Sequence, residues 1–125
     1  MNLDSIRTYC LSLTHATEDI QWGNDLLFRI SGKIFACINL DPPHSLSFKC
    51  TPEKFDELIE LEGIIPAPYT ARNKWVMLER PDALADRELK SLIEKSYQMI
   101  FAKLTRKAQA ELGAANKPAR PKRKK

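Results

Sequence analysis

Glycine is scarce in this chain and histidine scarcer: 125 residues hold four glycines and two histidines. A phosphate-cradling loop or a dinucleotide fingerprint needs closely spaced glycines at a strand-to-helix turn. Only Ser31-Gly32-Lys33 comes near, and its single glycine lies between two strand-like runs, so it reads as a hairpin turn. His15 and His44 lack H-E-x-x-H spacing and partner ligands, and they read as turn or surface residues. No G-x-S-x-G is present either, so the expectation is a protein without enzymatic activity, cofactor or metal. Cysteine is sparse and odd in number: Cys10, Cys37 and Cys50, with no C-x-x-C, are expected as small buried thiols in a reducing compartment. No apolar run approaches the ~18 residues that span a bilayer. The first residues, MNLDSIRTYC, carry an early acid instead of the apolar core of a signal peptide. The expected address is the cytoplasm, with no membrane partner.

The net charge of +4 hides a division. From Thr105 onward there are eight Lys or Arg and one acid, Glu111, whereas Met1 to Leu104 carry 12 basic and 15 acidic side chains. The basic pI therefore belongs to the C-terminal end, and basic surface on the body must come from local clustering. The final stretch, KPARPKRKK, offers Lys117, Arg120, Lys122, Arg123, Lys124 and Lys125 to any polyanion. Beyond Gly113 nothing is able to bury, so 113–125 is expected to be a disordered basic tail.

Apolar periodicity organises the rest into one domain over 1–104. Leu3, Ile6, Cys10 and Leu13 fall at helical spacing behind Asn2, a cap residue. Leu26–Ile30 and Lys33–Leu40 read as a hairpin, and Leu46, Phe48 and Cys50 form one face of a further strand. Thr51-Pro52 starts a short helix with Phe55, Leu58 and Ile59 as its stripe and Gly63 as its close. IIPAPYTARN reads as a proline-interrupted connection, and Lys74–Glu79 as another strand. A long helix starts near Asp86, and its stripe can be followed to Leu112. This order predicts an α+β fold, an antiparallel sheet with the N- and C-terminal helices on one face and a short helix inserted between strands. Asp56, Glu57, Glu60 and Glu62 read as a solvated helix face.

The opposite sheet face is the candidate site. Strand alternation turns Lys49 and Arg29 away from the core, Lys33 flanks the hairpin, and Arg72, Asn73 and Lys74 precede Trp75. Cations neutralise phosphates, and amides or aromatics engage sugar and base, so these seven residues suit DNA. On composition alone, a polar outer face with Trp75 half-buried accounts for them more simply.

Several stretches together resemble the MmcQ/YjbR family: Gln21-Trp22-Gly23, Phe28 to Ala36, Ser45 to Lys49 with Pro52-Glu53, Pro66 to Tyr69, Asn73 to Val76, and Ser96-Tyr97. The resemblance implies a frataxin-like (CyaY-like) fold and DNA binding through a double-wing arrangement, with no enzymatic activity. It transfers the Gly32-Lys33 hairpin, Lys49 and Asn73–Trp75 as contact points. Lys74 stands where members of the family often have histidine, which replaces a titratable group with a fixed charge. Frataxin-type iron binding is not carried over, because the first helix offers only Asp4 with Arg7 opposing it, and Glu18 and Asp19 lie further on. A DNA-binding protein is thus the leading expectation. The alternative is a non-enzymatic protein-interaction or regulatory module, favoured by the acidic body. A third reading, a ligand pocket near Trp22, Tyr69 and Trp75, competes with ordinary aromatic packing.

Overall fold

In a computed structural model, residues 1–116 apart from Tyr69 are described. The tail cations from Lys117 to Lys125 lie outside the described residues, as does Tyr69.

The chain opens with α1, Leu3–Ser12. Asn2 caps it: its side-chain oxygen accepts from the Ser5 N–H at 2.8 Å, and the Asn2 N–H donates to Ser5 Oγ at 2.9 Å. Two orphan donors of the first turn are thereby satisfied. Three strands follow, β1 Thr17–Gln21, β2 Asp25–Ile30 and β3 Lys33–Asn39. Ser31 and Gly32 both have positive φ, the conformation of a two-residue hairpin turn whose twist matches its strands. Next come β4 Leu46–Lys49 and α2 Pro52–Leu58, where Thr51 Oγ1 accepts from the Lys54 N–H and proline occupies the first turn. Then β5 Ile64–Pro66, a single 3₁₀ turn at Ala71–Asn73, β6 Trp75–Leu78, and two helices, α3 Asp86–Ala102 and α4 Arg106–Asn116.

The six strands form one antiparallel sheet in the order β1-β2-β3-β4-β6-β5. One face carries the core. Phe28, Ile38, Leu46, Phe48, Val76 and Leu78 pack there against Ile6 and Cys10 of α1 and Leu89, Leu92 and Ile93 of α3. Phe55 and Leu58 of α2 join the same cluster. The α+β architecture with terminal helices on one face is the one the periodicity predicts.

Four details depart from the sequence reading. Two strands are added, β1 and β5, both at sheet edges. β5 ends in Pro66, which an edge strand tolerates because one side of its ladder needs no donor. Gly63 does not close α2, which ends at Leu58; its φ of +85° turns the chain into β5. The long helix breaks after Ala102 and restarts at Arg106, and α4 continues past Gly113 to Asn116, where the ordered chain was expected to have ended. Finally, Cys37 is only half-buried, on the sheet face away from the helices, unlike Cys10 and Cys50. Among the described residues no helix is long and apolar enough to cross a membrane.

Candidate nucleic-acid interface

The outer sheet face is not the cationic surface that alternation predicts. Its centre is an apolar groove of about 590 Å³, walled by Leu27, Ile34, Cys37, Met77 and the tryptophans Trp22 and Trp75. Among the described residues no Lys or Arg lines it. Two of the expected cations are drawn elsewhere. Arg29 has the outward register but folds down, its Nε donating to Asp19 Oδ1 at 2.8 Å and an Nη to the Gly32 carbonyl at 2.9 Å. Lys33 is set on the other side by the two-residue turn, which pairs it with Ile30, and a β-bulge then follows on β3. Phe28 pairs with Ala36 but Arg29 pairs with Ile34, so Phe35 is an extra residue on β3. The extra residue changes the phase of the strand beyond it, whereas Lys33, opposite Ile30, lies in the register of the helix-bearing side.

Four of the five remaining predicted residues converge at the end of the sheet, while Trp75 lines the apolar groove. Lys49, Arg72, Asn73 and Lys74 line one open hollow of about 530 Å³, joined by Lys103 from the end of α3. Each is placed by a local constraint. Lys49 closes β4 in register with Trp75, and its Nζ donates to the Asn73 carbonyl at 2.7 Å. Arg72 and Asn73 belong to the 3₁₀ turn and are exposed. Lys74 ends that turn in the left-handed region, φ 66°, ψ 35°. Its backbone there donates to the Ala71 carbonyl and accepts from the Cys50 N–H, and its ammonium lies 5.0 Å from the centre of the Phe55 ring. Among the described residues no carboxylate lines the hollow and no ion pair includes Lys49, Arg72, Lys74 or Lys103. Burial, and then the neighbouring positive charge of Lys103, hold the Lys49 ammonium below the ordinary lysine pKa. Four cations thus share one hollow with no described acid between them.

Lys103 escapes the sequence reading because only the fold brings the end of α3 to the end of β4. Ser96 does this. Its fully buried hydroxyl donates to the Phe35 carbonyl at 2.7 Å and accepts from the Lys49 N–H at 3.0 Å, stapling α3 to the bulge of β3 and the tip of β4. Its neighbour Tyr97 meets Phe35 edge to face at 5.3 Å and donates from its hydroxyl to the Thr14 carbonyl at 2.6 Å.

Of the carboxylates weighed for iron, Glu18 is engaged by Arg7 and Asp19 by Arg29. Among the described residues no group of three or more His, Cys, Asp or Glu could hold a metal ion. His15 and His44 both sit at positive φ in turns, and His44 Nδ1 lies 3.0 Å from the Asn39 carbonyl.

The family model described as YjbR matches residues 11–99. The chain belongs to the YjbR family. The YjbR fold is repeated in solved structures. A Deinococcus radiodurans protein with a DUF419 domain is 25% identical, with a TM-score of 0.81 over 90% of this chain and 88% of its own. A Pseudomonas syringae protein is also 25% identical, with a TM-score of 0.66 over 79% of this chain and 98% of its own. No curated protein matches. Within the YjbR domain the Ser96-Tyr97 pair thus has a physical role: it locks the last helix to the strand ends that carry the cations.

Proposed function

We propose that this YjbR-family protein binds DNA without catalysing a reaction on it, through phosphate contacts at the end of the sheet. Lys49, Arg72, Lys74 and Lys103 would supply the body's charge, Asn73 a neutral donor, and the basic C-terminal residues added sequence-independent attraction. The observation that carries this reading is the acid-free cluster of cations on a body whose carboxylates outnumber its basic groups. A body of that net charge repels polyanions at long range, so a phosphate must be captured locally, within about one Debye length (~10 Å at 0.1 M salt).

The test is an anisotropy titration of the full chain against a labelled duplex at 50 and 200 mM salt. A cluster that neutralises about three phosphates gives a log–log slope near −2.7, a loss of roughly 40-fold over that range before any contribution from the tail. Lys49→Gln with Lys74→Gln lowers both affinity and slope. A variant with the six terminal cations from Lys117 onward replaced by glutamine retains domain binding, more weakly. If that variant binds nothing while the Lys49 and Lys74 pair is dispensable, the folded domain is not the DNA contact.

A further inference from the structure

The apolar groove and the cation cluster have no lining residue in common but meet along one stretch of chain. Thr70 and Trp75 line the groove, Arg72, Asn73 and Lys74 line the cationic hollow, and these residues are one continuous stretch of chain. Lys49 and Trp75 are register partners, so a phosphate held by Lys49 lies beside the groove's tryptophan. Both tryptophans of the chain face this groove. Trp22 is 70% exposed and sits in the β1–β2 turn at φ +54°, a region costly for a bulky side chain. Trp22 is thus an exposed indole held in a strained turn beside an apolar groove that stays open among the described residues. Ser47, Thr70 and Asp25 add hydroxyl and carboxylate groups to the same walls.

We propose that this groove receives an unpaired nucleobase, stacked on Trp75 and Trp22, whose phosphate is held by the adjoining cations. The ligand class is single-stranded DNA in preference to duplex. A flat indole accepts any base face, whereas a base inside a duplex is already stacked and cannot enter. The inference rests on the reading of the cation cluster as a phosphate site, and adds to it the discrimination between strands.

The experiment compares a labelled mixed-sequence single-stranded 20-mer with the same sequence as duplex, using the full chain at about 50 mM salt. The single strand binds at least about tenfold more tightly and quenches tryptophan fluorescence. Trp22→Ala, a substitution at an exposed site, weakens single-strand binding by about fivefold or more and leaves duplex affinity unchanged, and Trp22→Phe restores most of the loss. Equal affinity for the two forms, or a Trp22→Ala effect that is absent or the same on both, overturns the stacking site and leaves the phosphate site standing. No binding to either form overturns both.

Discussion

Replacing Ser96 with alanine deletes a single oxygen, and the structure says how much that oxygen holds. It has no exposed surface and makes both of its hydrogen bonds to backbone groups far away in sequence, the Phe35 carbonyl and the Lys49 N–H. Phe35 is itself fully buried, so its carbonyl loses this partner where the fold shuts water out. The Lys49 N–H is partly buried and recovers some hydration. An orphaned buried group costs about 1–3 kcal/mol, so the substitution destabilises by roughly 2–4 kcal/mol. For a domain of this size that lowers Tm by roughly 8–15 °C. Thermal unfolding followed by circular dichroism, with a urea titration to show an unchanged slope, measures it. The same variant frees the tip of β4 from α3, so DNA affinity falls even below the unfolding transition. A Tm drop of less than about 2 °C would mean that the two backbone groups find other partners, and the staple would not be what positions Lys49.

Lys74→Gly relieves a left-handed backbone worth about 1 kcal/mol and forfeits a cation–π contact of similar size, so stability by urea titration changes little while duplex affinity falls several-fold. Arg7→Ala removes the guanidinium whose hydrogen bonds hold the Glu18 carboxyl below its ordinary pKa. That stabilisation is present above the unfolded glutamate value of about 4.3 and is lost as pH falls through the lower folded value. Melting curves of wild type and variant therefore differ at pH 6 and converge as pH falls below the lowered folded value. Burial pushes the Cys10 and Cys37 thiols up to about 12, so at pH 8 both react with iodoacetamide at least ~100-fold more slowly than after denaturation, which mass spectrometry of labelled peptides can time.

The parts of the fold legible in the sequence are those where one physical rule acted alone. β2, β3 and β4 have a buried face and an alternating pattern, and α1 and α2 have cap residues. β1 could not be seen, because Thr-Glu-Asp-Ile-Gln at a sheet edge presents no apolar face; its Ile20 is 59% exposed. β5 was masked by its own proline. The break between α3 and α4 is invisible to periodicity, since Leu104, Ala108 and Leu112 continue the stripe across it. Its signal was Thr105, a helix-starting residue, whose hydroxyl accepts from the Ala108 N–H at 3.1 Å. Of the candidate site, Lys49 and the 72–74 segment were legible as a group. Arg29 and Lys33 were misplaced, by an ion pair and by the hairpin's pairing of Lys33 with Ile30, and the first leaves no mark in local composition.

The break at Lys103–Thr105 also decides from where the basic terminus departs. Gln109 reaches back from α4 and donates from its amide to the Phe101 and Leu104 carbonyls, tying off the end of α3, and Leu112 rests against the core. A helix that ran straight on from Lys103 would carry Asn116 about 20 Å out from the sheet at 1.5 Å per residue. The joint instead brings the chain back onto the body at Leu112, nine residues after Lys103 and five before Lys117. On the proposed reading, a strand leaving the hollow has a second cationic segment on the same chain to engage, and lengthening the joint shortens the bound lifetime.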